Sequence, residues 1–371
     1  MDGPWNLAVQ PPLAPMLAKL SRSIPEEPDG AEATWLFEPK WDGFRCIVFR
    51  DGDRIELSSR KLRPLARYFP ELLGPLRRAL PDRCVVDGEI VVADEARGGL
   101  DFDALLQRIH PAESRVQRLS VETPAQFVAF DLPALADESL LDLPMGERRA
   151  RLVEALRPNE VVHLTPASTD RAVALDWFEQ FEGAGLDGVI AKPLAGVYEP
   201  GKRSLLKVKH QRTADCAVAG YRIHKDGKGV GSLLLGLFDD AGDMHSVGVA
   251  ASFTARRRAE LLAELEPRTH DALDGHPWRS WVESSGESDE PSSSAGSRWN
   301  AGKDLSFVPI RMGLVAEVSF GQLENRRFRH GVSFLRWRPD RTPESCRYDQ
   351  LDVADPVSFH DFITIGVGPR S

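Results

Sequence analysis

The stretch Glu38-Pro39-Lys40-Trp41-Asp42-Gly43-Phe44-Arg45 places a lysine, an aspartate and an arginine on one short turn between two apolar runs. Trp35 to Phe37 before it and Cys46 to Phe49 after it read as half-buried strands, so the charges sit where a strand leaves the core. Taken alone, an Asp-Gly turn joining two strands is an ordinary hairpin. Three further runs repeat the theme of charge carried by a buried strand. Val85 to Val92 is β-branched yet interrupted by Asp87, Gly88 and Glu89. Phe127 to Phe130 ends in Asp131, and Leu186 to Lys192 carries Asp187 and a terminal lysine. Carboxylates in such strands need a partner or a metal.

Two basic runs complete the chemistry. Lys202 to Arg212 contains no acid, and its Leu206-Lys207-Val208-Lys209 puts both lysines on one face of a strand. Arg326 to Arg341 carries six arginines against Asp340 and interleaves Phe328, Phe334 and Trp337, a combination suited to phosphates or bases.

The elements that must position these groups follow from periodicity. Asp51-Gly52 closes a hairpin whose returning strand, Arg54 to Arg60, brings Arg60 towards the cleft of Lys40. Leu65 to Leu80 has helical spacing, in which Pro70 and Pro75 indicate either a break or a helix that begins at Pro70. Helices are also predicted over Pro144 to Leu156 and Asp170 to Phe181, the second capped by Ser168, Thr169 or Asp170. Residues 1–30 read as a Pro-rich lead-in with one anchored piece, Pro15-Met16-Leu17-Ala18. From Thr213 the texture changes to short strands with glycine turns, namely Cys216 to Tyr221, Leu233 to Phe238, Met244 to Val249, Leu314 to Phe320 and Val332 to Trp337, with a helix at Arg256 to Leu265. That is the texture of a small barrel. Residues 267–304 read as a polar surface insertion, and the last residues as a tail.

At 371 residues, 42% hydrophobic and 28% charged, the chain exceeds one ordinary core and predicts two soluble domains. The net charge of −9 excludes a wholly basic footprint, leaving any nucleic-acid contact to local patches. Cys46, Cys84, Cys216 and Cys346 lie far apart, so neither a disulfide framework nor a zinc ribbon is indicated and a reducing cytoplasm is expected. Neither a signal peptide nor an apolar run of membrane length is visible, and no membrane association is expected.

In order, Lys40-Trp41-Asp42-Gly43-Phe44-Arg45, Ser59-Arg60, Asp87-Gly88-Glu89, Phe130-Asp131, Asp187 to Lys192, Leu206 to Lys209 and Arg336 to Arg341 resemble the motifs of the covalent nucleotidyltransferases, specifically ATP-dependent DNA ligases. A single Lys-x-Asp-Gly is weak, whereas the ordered set spans Pro15 to Arg341. The short length resembles the compact actinobacterial type, ligase C. The resemblance implies an α+β fold with an adenylation (nucleotidyltransferase, ATP-grasp-like) domain over 1–212 and an OB-fold barrel over 213–371. It implies Lys40 as the nucleophile towards ATP, Glu38 and Phe130 at the adenine, and Arg45 and Arg60 at the ribose and phosphate. Lys192, Lys207 and Lys209 would clamp the phosphates. Attack requires a neutral amine, which neighbouring cations such as Arg45, Lys192 or bound magnesium would favour. Glu89 and Asp187 are the expected ligands of magnesium, or of manganese in its place. Most ligases carry glutamate where Asp187 stands, and a side chain shorter by ~1.5 Å would act through water.

Nicked duplex DNA is the implied partner of a monomer that serves repair, recombination and replication. The alternatives are an RNA ligase, a GTP-dependent capping-type enzyme or a non-catalytic nicked-DNA binding protein. The Pro-Met-Leu-Ala lead-in and the Arg-Pro-Asp-Arg ending favour the DNA ligase. Arg338 would orient the pyrophosphate leaving group. Arg338→Ala is therefore expected to slow lysine adenylation more than sealing of a pre-adenylated nick, measured as separate single-turnover steps. Equal losses in both steps would contradict that role.

Overall fold

The computed structural model describes residues 4–27, 33–94, 99–180, 186, 188–209, 212–284, 306–321, 323–324, 326–328, 331–351 and 359–365. Contacts divide the chain into one unit of Met1–His210 with Val353–Ser371, and a second of Gln211–Asp352.

Among the described residues the first unit holds two sheets. Strands β1 (Ala18–Ser21), β2 (Trp35–Pro39), β3 (Phe44–Asp51), β4 (Arg54–Ser59), β5 (Arg83–Asp94), β6 (Gly99–Leu100), β7 (Ala125–Leu135), β8 (Glu138–Ser139), β9 (Val162–Leu164), β10 (Val189–Pro193) and β11 (Leu205–Val208) alternate with helices α1 (Pro70–Ala79), α2 (Phe102–Gln107), α3 (Glu113–Glu122), α4 (Met145–Ala155) and α5 (Arg171–Gln180). One sheet runs β1-β11-β10-β2, and the other β4-β3-β5-β7-β8 with β6 on β5 and β9 on β7.

This arrangement corrects the hairpin expected around Lys40. Strands β2 and β3 do not pair with each other: β2 pairs with β10, whereas β3 pairs with β4 and β5. The turn carrying Lys40 is the crossing from one sheet to the other. The hairpin expected at Asp51-Gly52 does form, joining β3 to β4.

Nor are the strands flanking that turn half-buried. In β3, Cys46 and Val48 enter one core with α1 residues Leu72 and Leu76, while Ile47 and Phe49 enter another with Leu7, Val9, Leu13 and Met16. The lead-in is thus anchored well beyond Pro15 to Ala18, because its apolar residues cover the second face of the large sheet. Both faces being covered explains a continuous apolar run where a one-sided sheet would alternate.

The buried carboxylates find partners. Asp87 accepts from Arg45 Nε and Nη2 at 2.6 and 2.7 Å and from the Tyr198 hydroxyl at 2.6 Å. Asp131 is held by Arg148 Nε and Nη2 at 2.8 and 3.0 Å and by its neighbour's backbone, Leu132 N–H, at 2.8 Å. Arg148, itself fully buried, spends Nη1 on the carbonyls of Leu143 and Gly196.

In the second unit, β12 (Arg212–Ile223), β13 (Val230–Phe238), β14 (Met244–Ala250), β15 (Val308–Pro309), β16 (Val315–Phe320), β17 (Leu323–Glu324), β18 (Arg327–Phe328) and β19 (Ser333–Trp337) accompany α6 (Ala255–Leu265) and α7 (Arg279–Ser284). The main sheet runs β14-β13-β12-β16-β19, with β15 on β12. Register shifts along β12, β13 and β16 bend it. A bridge from Ala250 to Val332 links β14 to the start of β19, so the sheet curls towards closure.

The insertion expected over 267–304 is structured in its first part. His276 and Trp278 are buried, and Trp278 and Trp281 pack on Phe307 at 6.2 and 5.1 Å between ring centroids. Its aromatic residues were outweighed in the sequence by the polar composition around them. Residues 285–304, and Asp187 in the first unit, lie outside the described residues.

The chain then returns. Helix α8 (Phe359–Ile365) packs in the first unit against Trp41, Val91, Val128 and Leu186. The expected domain over 213–371 therefore loses its last segment to the first unit, because Phe359, Phe362 and Ile363 supply an apolar face that is buried there.

Arg148→Leu would strand the buried Asp131 carboxylate. Equilibrium urea unfolding is expected to show a loss of about 3–5 kcal/mol, and an unchanged midpoint would contradict the importance of the pair.

Candidate active site

The two sheets of the first unit meet around a cavity of about 190 Å³. Lys40, Glu38, Arg45, Arg60, Glu89, Phe130, Lys192 and Lys207 all line it. These residues come from β2, the crossing turn, β3, the end of β4, β5, β7, β10 and β11, so no single element holds the site.

The crossing turn is fixed at its backbone. Lys40 N–H donates to Gly188 O at 2.8 Å, just ahead of β10. Gly188 has φ +131°, and a Cβ there would stand 2.0 Å from Val208 O. Gly43 ends the turn under similar pressure: a Cβ would lie 2.2 Å from Ile90 O and 2.8 Å from Glu89 Cγ. The Lys-x-Asp-Gly spacing thus lets the turn lie against β5 beside Glu89, an approach that a side chain would block.

Strand pairing sets Arg45 opposite Glu89 and Ile47 opposite Asp87. Side chains on β3 and β5 alternate, so Arg45, Asp87 and Glu89 share one face. Burial alone would lower the Arg45 guanidinium, but the charge and hydrogen bonds of Asp87 outweigh it and hold the arginine more firmly protonated. Burial raises the Glu89 carboxyl to about 7, against the lowering pull of Arg45 and Lys40 and with the added push of Asp42 and Asp87.

Phe130 lines the cavity from a break in β7. Asp87 faces Asp131 and Gly88 faces Ala129, so Phe130 is an extra residue in the ladder. Phe127, Ala129 and Leu132 all point into one core; alternation turns Phe130 away from it, and the bulge keeps Asp131 out as well before Leu132 returns to it. The Phe130 ring has the Arg45 guanidinium 4.4 Å from its centroid and the Lys192 ammonium at 4.7 Å.

Lys192 is 3% exposed and donates to Glu38 Oε2 at 2.8 Å and to Phe130 O at 3.0 Å. It is therefore paired within the Glu38 and Phe130 corner, a different setting from that of Lys207. The other oxygen of Glu38, Oε1, is buried and accepts no hydrogen bond. Arg149 Nη1, also buried without a hydrogen bond, is 3.9 Å away. An unfilled acceptor at the cavity wall suits a donor such as an exocyclic amine of a purine.

Lys209 follows the end of β11 and is not among the residues lining the cavity, whereas Arg203 is. Sequence reasoning passed over Arg203 as one member of a basic run; its signal was the position four residues before Lys207 in an acid-free segment. Among the described residues no three His, Cys, Asp or Glu side chains gather as a metal cluster. An ion that binds through one or two carboxylates and substrate phosphates needs none, and Glu89 is an oxygen donor of that kind.

Arg338 belongs to the second unit. Its Nη1 donates to both oxygens of Asp215 at 3.0 and 2.9 Å, and its Nε and Nη2 donate to Asp340 at 2.9 and 2.7 Å. Hydrogen bonding to Arg338 lowers the Asp340 carboxyl to about 2. Arg341 Nη1 adds a contact of 3.3 Å to Asp215.

Known proteins share this organisation. A family model described as ATP dependent DNA ligase domain matches residues 15–209, and one described as ATP dependent DNA ligase C terminal region matches 226–341. DNA ligase C of Mycobacterium tuberculosis (strain ATCC 25618 / H37Rv) is 53% identical over 364 residues, covering 96% of this chain and 99% of the relative. DNA ligase C2 of Mycolicibacterium smegmatis (strain ATCC 700084 / mc(2)155) is 54% identical, covering 94% and 96%. A solved structure from work on Lig E DNA ligases aligns with a TM-score of 0.52 at 19% identity, covering 88% of this chain and 99% of that one, a likeness of fold. The first unit is the nucleotidyltransferase domain and the second the OB-fold domain. With one family model spanning more than half of its length and relatives above 50% identity along nearly all of it, the chain belongs to the family of ATP-dependent DNA ligases.

Proposed function

We propose that the protein seals nicks in duplex DNA with Lys40 as its nucleophile. The observation that carries this reading is the convergence of Lys40, Glu38, Arg60, Glu89, Phe130, Lys192 and Lys207 on one cavity from strands far apart in sequence. In the first step the neutral Lys40 amine attacks the α-phosphorus of ATP, the bond to pyrophosphate breaks, and AMP remains on the nitrogen. In the second, a 5′-phosphate oxygen at the nick attacks that phosphorus and Lys40 departs as the amine. In the third, the 3′-hydroxyl attacks the activated 5′-phosphate, a phosphodiester forms and AMP leaves. Sealing of this kind serves repair, recombination and replication.

Each residue then has a task. Glu38 Oε1 accepts from the adenine amine while Lys192 holds the other carboxylate oxygen in place. Phe130 offers its ring to the base, and the buried pairs Arg45–Asp87 and Arg148–Asp131 fix the strands that carry it. Lys207, Arg60 and Arg203 supply positive charge along the cavity for the phosphates, and Lys209, beyond the end of β11, extends that charge. Glu89, with Asp187, is the donor for a divalent ion, magnesium first, which when bound neutralises charge on the phosphates. Arg338 must exchange Asp215 and Asp340 for phosphate oxygens before it serves the leaving group.

Incubation with α-labelled ATP and magnesium is expected to leave label on the denatured protein, and nicked DNA is expected to chase it off. Lys40→Ala should retain none. Label persisting on that variant, or none on the unaltered protein, would overturn the assignment.

Glu89 makes the metal step pH-dependent. Because its value is raised to about 7, the protonated form is favoured in the protein alone, and that stabilisation is lost as pH rises through 7. Metal binding requires the carboxylate. Apparent magnesium affinity in the adenylation assay should rise about tenfold from pH 6 to pH 8, and Glu89→Gln should abolish the rise. An affinity independent of pH would contradict Glu89 as a ligand.

A further inference from the structure

We propose that the C-terminal helix α8 is a positioning element of the adenylation site, holding Lys40 in line through Trp41. This rests on the reading of Lys40 as nucleophile. Phe359, Phe362 and Ile363 stand at i, i+3 and i+4, so they share one face of the helix. All three are buried. They pack on Trp41, Val91 and Val128, and each of those is tied to a residue of the cavity. Trp41 follows Lys40. Val91 lies two residues beyond Glu89 on β5, and Val128 two before Phe130 on β7, so each shares a strand face with its cavity residue. The helix thus covers the sheet face immediately beside the site.

Trp41 is the link with the most direct bearing on the chemistry. Its ring meets Phe359 edge-on at 5.7 Å and 80°, and Phe362 at 6.2 Å. Its indole Nε1 donates to Thr165 Oγ1 at 2.9 Å in a buried bond. One side chain adjacent to the nucleophile is therefore gripped by the helix and by the segment after β9, and it also lines the cavity. Phe359 touches His163 of β9 at 5.9 Å, and Phe362 touches Trp177 of α5 at 6.1 Å, so the grip is anchored on two further elements. A helix of seven residues has little stability of its own, which makes these contacts its reason for being there. In-line attack is sensitive to displacements of about 1 Å; Gly188 and Gly43 hold the backbone of the turn, and α8 adds a hold on the side chain next to the nucleophile.

The test compares single-turnover rates in the full chain. In Phe359→Ala/Phe362→Ala, Lys40 adenylation at saturating ATP should slow about tenfold while the ATP KM changes less than about twofold. Sealing of a pre-adenylated nick should fall by less than adenylation. Phe359→Leu/Phe362→Leu, which keeps the apolar cover, should restore adenylation to within about twofold. Should circular dichroism show the double alanine variant unfolded, Phe359→Ala alone must show the same ordering of losses. An unchanged adenylation rate in the folded variant, an equal loss in both steps, or a leucine variant as slow as the alanine one would overturn the proposal. Failure of the unaltered protein to take label would instead overturn the role of Lys40, so the two failures are distinct.

Discussion

The constraint on which the site depends is a crossing. The chain must leave the sheet of β2 and β10 and enter the sheet of β3 and β5 within the four residues from Lys40 to Gly43. The Lys40 amide clasps Gly188 O on the near side, and Gly43 presses against β5 on the far side. A lysine held at that point has both sheets within reach. The cavity exists because two sheets converge, and Lys40 is placed in it because the connection between them is short.

Charge is the second organising force. The first unit buries Asp87, Asp131, Glu38, Lys192 and Arg148 near one another, and isolated charges at such depth would be prohibitive. Each is answered. Asp87 is paired by Arg45 and Tyr198, Asp131 by Arg148, and Glu38 by Lys192. Buried ion pairs of this kind contribute little net stability, yet breaking one is costly, and their effect is to fix geometry. What is left incompletely answered, the second oxygen of Glu38 and the raised carboxyl of Glu89, faces the cavity. A ligand with an amine and phosphates bridged by a hard cation would satisfy both.

The second unit handles its arginines in the same way. Arg338 is held by Asp215 at the start of β12 and by Asp340 two residues along. Its guanidinium is formed into a defined fork by carboxylates of its own unit, so any other anion must compete with them.

Residue order determined a good deal by itself. Apolar runs interrupted by charge marked β3, β5, β7, β10 and β11, leucine spacing marked α1 while its prolines left its start open, and the change of texture near Thr213 marked the second unit. The ordered motifs named the family, because covalent chemistry on a nucleotide needs an amine, carboxylates and cations in a spacing that chance rarely produces. Only the tertiary structure decided which strands became neighbours. Pairing between sheets leaves no trace in local periodicity, so the hairpin expected at Lys40 proved to be a bridge. A bulge breaks the period that makes a strand readable, so the turning of Asp131 away from the core that holds Phe127 and Ala129 could not be read from alternation, although Phe130 was expected at the site. Long-range burial is likewise invisible in sequence: the lead-in reads as slack until its apolar residues find the back of the large sheet, and the last helix reads as a tail until Trp41 gives its phenylalanines a place to be buried.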